Sequence, residues 1–260
     1  RNPSHIIWNN KHEIIQALEN SEMLINLAGK FVNCRYNSKN KKEILESRTR
    51  TTEILGNALE ECINPPLLWI NSSTATIYRH AEDRPMTEDS GEIGSGFSVN
   101  VAEEWERSFF LFQLPNTRQV ALRIAIVLGA GGGVIIPYKN LVRLGLGGVQ
   151  GSGNQMFSWI HIEDLFNIVL FLKDKRELNG IFNCSSPNPL TNRELMENLR
   201  KALNKKVGLA STQWMLETGA FFIGTETELI LKSRWVIPER LDREGFKFKF
   251  DKIEKALQQI

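Results

Sequence analysis

Compact apolar runs alternate along the chain with longer stretches in which apolar residues recur at helical spacing. The runs His5-Ile6-Ile7-Trp8, 23–29 (Met-Leu-Ile-Asn-Leu-Ala-Gly), 67–73 (Leu-Leu-Trp-Ile-Asn-Ser-Ser), 119–128 and 180–184 read as strands. Near-continuous apolarity suits strands covered on both faces. Between them, residues 13–18, 39–62, 99–112 and 164–174 predict helices. In residues 39–62, Ile44, Leu45, Thr52, Leu55 and Leu59 recur at roughly helical spacing, and Pro65-Pro66 stops the helix. Another helix opens at Thr191 on a capping box, Thr191-Asn192-Arg193-Glu194, with Leu195, Leu199 and Leu203 on its apolar face. Strands alternating with helices predict an α/β fold: an open parallel sheet with helices on both faces.

In such folds ligands bind at the carboxyl ends of the strands. That rule selects Asn26-Leu27-Ala28-Gly29, Ser72-Ser73-Thr74 and residues 126–129, from Ile126 to Gly129. Each carries small or hydroxyl residues, which either let a flat cofactor lie on the backbone or permit close strand–helix packing. A second candidate stretch is 144–164, L-G-L-G-G-V-Q-G-S-G-N-Q-M-F-S-W-I-H-I-E-D. Its glycines predict a flexible loop, expected to order only over a ligand. Ser158-Trp159-Ile160-His161-Ile162 then reads as a short strand, and Asp164 opens a helix. The pattern lines a pocket, or it is a surface loop with His161 structural.

At 260 residues and 42% hydrophobic, the chain is long enough for a full core. The net charge of +2 argues neither for nor against an acidic partner, and no basic stripe with interleaved aromatics points to nucleic acid. No apolar run reaches the roughly 18 residues of a membrane span. Cys34, Cys62 and Cys184 lack metal-ligand spacing, so no metal site is expected, and reduced thiols in a cytoplasmic protein are. Cys184 reads as a buried thiol; Trp8, Trp69 and Trp105 read as core, and Trp214, Phe221 and Phe222 as core of a small lobe.

The strand ends resemble those of the extended short-chain dehydrogenase/reductases. N-L-A-G at Asn26 is similar to their dinucleotide-contacting N-x-A-G. Ser72-Ser73-Thr74-Ala75-Thr76-Ile77-Tyr78 resembles the serine-rich strand end that carries a catalytic hydroxyl, and W-I-H-I-E-D resembles their later [FW]-[IV]-H-[IV]-x-D. Cys34-Arg35-Tyr36, Arg48, Gly131-Gly132-Gly133, the glycine stretch and Ile237-Pro238-Glu239-Arg240-Leu241 narrow the resemblance to one atypical branch. That branch is the NAD-dependent epimerase/dehydratase, or sugar-nucleotide epimerase-like, group.

The resemblance implies a Rossmann-type doubly wound parallel sheet with a small C-terminal substrate lobe. The dinucleotide-binding domain would comprise residues 1–130 and 156–187, and the lobe 131–155 and 188–260. It implies NADP, with NAD possible, held by Arg1, Asn26, Leu27, Ala28, Gly29, Ser72, Ile126 and Gly129, with Arg1 placed for a ribose 2′-phosphate. Arg35, Tyr36, Gln155, Trp159 and His161 would contact a small-molecule substrate, and Ser73, Thr74 and Tyr78 would be catalytic. The expected protein is a monomer or homodimer.

Two features depart from the family pattern. The fingerprint G-x-x-G-x-x-G is absent, and Arg1-Asn2-Pro3 resembles the residues after the second strand, which puts the fingerprint about 30 residues upstream. The usual Tyr-x-x-x-Lys aligns with Phe97 and Val101, neither of which can move a proton. Tyr78, Tyr36 or His161 would have to substitute. The two resulting readings are an NADP(H)-binding epimerase- or oxidoreductase-type enzyme, and a non-catalytic nucleotide-sensing or scaffold protein.

Overall fold

The computed structural model describes residues 6–211 and 232–259. In chain order the elements begin α1 (Lys11–Leu18), β1 (Met23–Asn26), α2 (Ser38–Glu61), β2 (Leu68–Thr74), a 3-10 turn (Ala75–Ile77), α3 (Phe97–Phe110), β3 (Arg118–Ile124) and β4 (Ile126–Leu128). They continue with α4 (Ile135–Arg143), β5 (Met156–Phe157), β6 (Trp159–His161), α5 (Ile162–Asp174), β7 (Gly180–Cys184), β8 (Leu190–Thr191) and α6 (Asn192–Ala202). Two short helices, α7 (Glu239–Arg243) and α8 (Ile253–Gln258), follow. The main sheet is parallel in the order β1-β2-β3-β7; β4 pairs with β6 in parallel and β5 with β8 antiparallel. This is the α/β, Rossmann-type architecture, with a smaller C-terminal lobe.

Period-two alternation explains why the central strands read as unbroken apolar runs. On β2, Leu68 and Ile70 join the core with Ile168 and Leu172 of α5, while Trp69 faces the opposite way into Leu55, Leu59 and Phe109. Likewise Val120 and Leu122 of β3 share the first core and Ala121 the second. The rings of Trp69 and Phe109 meet edge to face at 4.6 Å. Truncating either to alanine would cost about 3–5 kcal/mol. In the lobe, α4, α6 and α8 bury Tyr138, Val142, Leu195, Leu199 and Leu257 together with Phe157 and Trp159. The capping box at Thr191 is present, its hydroxyl accepting from the Glu194 N–H.

Several expectations change. The run ending Ile6-Ile7-Trp8 is not a strand over its described residues. Ile7 is 71% and Trp8 43% exposed, and the chain turns there into α1, capped by Asn10. Trp69 and Trp105 are core; Trp8 is not. The run 119–128 breaks at Ala125, whose N–H donates to Cys184 O. Before it the chain pairs with β7, and after it with β6. Helix α4 was hidden behind Pro137, which sits in the first turn, where its missing N–H has no intrahelical acceptor. The preceding turn needs Gly131 and Gly133 at φ 77° and 71°. No helix among the described residues is long and apolar enough to cross a membrane.

Candidate functional site

The carboxyl ends of β1 and β2 are held by a buried amide pair. Asn26 donates to Asn71 Oδ1 at 2.7 Å and to Thr52 Oγ1 at 3.2 Å, while its own oxygen accepts from the Ala28 N–H at 3.1 Å. Trp105 Nε1 donates to the same threonine at 3.1 Å. Asn26 therefore fixes the turn Leu27-Ala28-Gly29, in which Leu27 and Gly29 are exposed and Ala28 is half-buried. Beneath it, Arg48 of α2 donates to Lys30 O and lies 5.1 Å over the Trp105 ring. A Cβ at Gly29 would approach the Arg48 guanidinium carbon to 3.1 Å, and one at Gly129 would reach Ile162 Cγ2 at 3.2 Å. Ser72 near the end of β2, Ile126 just past the end of β3 and Gly129 just past β4 are half-buried.

Ser73 and Tyr78 are buried in one hydrogen-bonded network. Ser73 donates to Glu106 Oε1 at 2.6 Å, and Arg123 forks onto the two oxygens of the same carboxylate. Arg123 also donates to Tyr78 Oη at 2.9 Å, and Tyr78 donates to Asn183 Oδ1 at 2.9 Å. The Asn183 N–H in turn donates to Glu88 Oε1 at 2.8 Å. All but Glu88 are fully or nearly fully buried, so this chain ties β2, α3, β3 and β7 together. Burial alone would lower the Arg123 pKa; Glu106 and Tyr78 outweigh it and hold the guanidinium above its usual range. Burial likewise raises the Tyr78 phenol, and that of Tyr138 to about 12. Glu106 and Arg123 escaped the sequence reading because an isolated acid and base on different elements carry no spacing signal. Thr74 stays half-buried at the rim, its hydroxyl accepting from the Thr76 N–H.

Tyr36 stands on the loop just before α2. Asn37 caps the helix, and Asn40 donates to Arg35 O at 2.7 Å, which anchors the loop. The Tyr36 ring meets Phe97 edge to face at 4.9 Å, and Lys41 Nζ sits 5.3 Å over Phe97. Tyr36 is within electrostatic reach of Arg48. Arg35 and Tyr36 are both half-buried on this rim.

The glycine stretch is a paired ribbon. Gly148 donates to Leu209 O, Leu209 to Gly145 O, Ser211 to Val149 O and Gly151 to Ser211 O. A Cβ on Gly148 would lie 2.4 Å from the Leu209 carbonyl carbon, so glycine here permits backbone contact rather than supplying freedom. Gln155 is buried, donating to Gln150 O and accepting from Ser152. Trp159 is fully buried in the lobe core, with its indole N–H on Asn188 O at 3.3 Å, so it offers no surface to a substrate. His161 caps α5, its Nδ1 accepting from the Glu163 N–H, and its ring lies 3.8 Å from that of Phe250. Burial lowers its pKa. Asp164, wholly buried, accepts from the N–H groups of Lys249 and Phe250 at 2.9 Å each.

Lys232 and Arg234 were missed in the sequence. Lys232 Nζ donates to Thr76 O at 2.8 Å and Arg234 Nε to Thr76 Oγ1 at 3.3 Å, so both cations meet the 3-10 turn that follows β2. They help line a narrow crevice with Ile126, Tyr138 and Gln155. An open concavity at Leu67, Arg118 and Gly180 lies at the amino ends of the strands, the wrong end for ligand binding in this architecture. Arg1, Trp214, Phe221 and Phe222 fall outside the described residues.

Residues 212–260 match a family described as a domain of unknown function, DUF1731. The chain is 32% identical to the mouse epimerase family protein SDR39U1, over 99% of this chain and 87% of that protein. A crystal structure of the human SDR39U1 protein with NADPH superposes with a TM-score of 0.88 at 31% identity, covering 100% of this chain and 88% of that one. A nucleoside-diphosphate sugar epimerase from Corynebacterium glutamicum superposes with a TM-score of 0.75 at 27% identity, covering 94% of this chain but 47% of that one. On this identity over nearly its whole length, the chain belongs to the epimerase family that includes SDR39U1.

Proposed function

We propose that the protein binds NADP(H) across the carboxyl ends of β1, β2 and β4 and uses it in epimerase- or oxidoreductase-type chemistry on a small substrate, such as a sugar nucleotide. The observation that carries this reading is the turn pinned by Asn26. It presents Ala28 and Gly29 as bare backbone beside the guanidinium of Arg48, and Ser72, Ile126 and Gly129 continue the shelf. This donor set fits a dinucleotide: small residues admit the flat group, and the buried amides keep the turn from rearranging. The NADPH in the human relative supports the same cofactor, and the sequence reading of Arg1 supports a 2′-phosphate. When bound, nicotinamide would supply hydride exchange. The chain's own task is to seat it and to position the substrate at Arg35, Tyr36 and Thr74. A cytoplasmic monomer or homodimer is part of the same reading.

Calorimetric titration of the full-length protein with NADPH and NADH tests the proposal. Tighter binding of NADPH is expected. Preference for NADH would remove the NADP assignment, and binding of neither would remove the whole reading. A second reading, a nucleotide-binding protein without turnover, draws on Phe97 at the family tyrosine position and on the engagement of Ser73 and Tyr78 in the buried network. A dinucleotide that binds but never turns over against a broad carbonyl and sugar-nucleotide panel would favour it.

A further inference from the structure

We infer that Tyr36, from the loop before α2, replaces the family tyrosine as the proton donor and acceptor; this rests on the dinucleotide reading above. Phe97 has no proton to give, yet the ring it packs against belongs to a phenol, with centroids 4.9 Å apart. The hydroxyl missing from α3 is therefore offered by the neighbouring residue on the same rim. Tyr78 and Tyr138 are buried, Ser73 donates to Glu106, and His161 caps α5 beneath Phe250.

The surroundings of Tyr36 supply what the missing lysine would. Tyr36 directly precedes Asn37, the cap of the 24-residue helix α2, and the amino end of a helix favours negative charge. Arg48 from that helix is within electrostatic reach, and Lys41 from its first turns sits over Phe97. On the same helix, the carboxylate of Glu43 is paired with Lys30. From α3 the contact is the apolar ring of Phe97. Positive charge around a phenol favours its phenolate and lowers its pKa. Tyr36 Oη would pass its proton to a substrate carbonyl oxygen as hydride from the reduced dinucleotide reaches the carbonyl carbon. The carbonyl becomes an alcohol, the dinucleotide is oxidised, and the phenolate lies in the field of Arg48 until solvent returns a proton. Oxidation of an alcohol runs the same steps backwards. Arg48 acts as a positioning residue.

The chain has three tyrosines, and burial raises the pKa of both Tyr78 and Tyr138. An ultraviolet tyrosinate titration therefore isolates Tyr36 without any cofactor. We expect one phenol to ionise at least about one unit below the ordinary value near 10. That step should vanish in Tyr36→Phe and move upward in Lys41→Gln, which changes no buried contact. With cofactor and substrate, Tyr36→Phe should lose at least about 10²-fold in kcat while NADPH affinity holds. A Tyr36 phenol titrating at or above its ordinary value would overturn the inference, as would wild-type turnover in Tyr36→Phe. Failure of wild-type protein to bind NADPH would instead remove the dinucleotide reading and leave the titration to judge the phenol.

Discussion

Arg123 grips Glu106 with both edges of its guanidinium, Nε at 2.8 Å from Oε1 and Nη2 at 2.7 Å from Oε2, in a setting where neither side chain is more than a tenth exposed. The pair joins β3 to α3 and carries Ser73 and Tyr78 on its flanks. Two desolvated charges are stable only while each has the other.

Removing one partner should therefore cost about 3–5 kcal/mol. Glu106→Ala leaves Arg123 buried and unpaired, and chemical denaturation should show the full loss. The double variant Glu106→Leu/Arg123→Met should recover part of it. Tyr78→Phe should cost about 1–3 kcal/mol, because it strips a partner from Asn183 and Arg123, while leaving NADPH affinity unchanged. Equal stability of Glu106→Ala and wild type would show that the pair is solvated in solution.

His161 predicts an acid-side loss of stability. Its folded pKa lies below the unfolded value, chiefly through burial. Its contribution is thus complete above about pH 6.5 and lost as pH falls through the folded value. Protonation also puts a donor where Nδ1 accepts from Glu163, undoing the cap of α5 at a cost of about 1 kcal/mol. In His161→Asn the cap survives and this pH dependence should flatten. Unfolding free energies measured from pH 7.5 down to 5 decide it: an unchanged slope in His161→Asn would exclude the assignment.

The paired glycine ribbon predicts slow hydrogen exchange at Gly148, Gly151, Leu209 and Ser211 in the ligand-free protein. Gly148→Ala, whose Cβ would meet the Leu209 backbone at 2.4 Å, should destabilise by about 1–3 kcal/mol. Gly132→Ala, with open space around it, should change little. Rapid exchange at all four amides without ligand would restore the mobile-loop expectation.

The central strands were legible because burial on both faces writes an unbroken apolar run, as in β2, and the capping box at Thr191 names its helix directly. What escaped was set by partners far away in sequence. Ile6 to Trp8 has the composition of a strand but no neighbour to pair with. The break at Ala125 follows from a change of pairing partner, which no local pattern records. In the site, Asn26 and the small residues stood out by position at a strand end. Tyr78 and Trp159 looked available because sequence does not show Arg123, Asn183 or the lobe core closing over them. The glycines of the ribbon read as freedom until residues 209–211 supplied the opposing backbone.

Asp164 holds the backbone of Lys249 and Phe250 from 85 residues away, and α8 lies beyond that clasp. Residues 249 and 250 therefore cannot come away independently of α5. A protease reaches the bonds around Lys249 only after the start of α5 lets go, so nicking there reports a collective opening of the lobe, and its rate follows the equilibrium population of that open form.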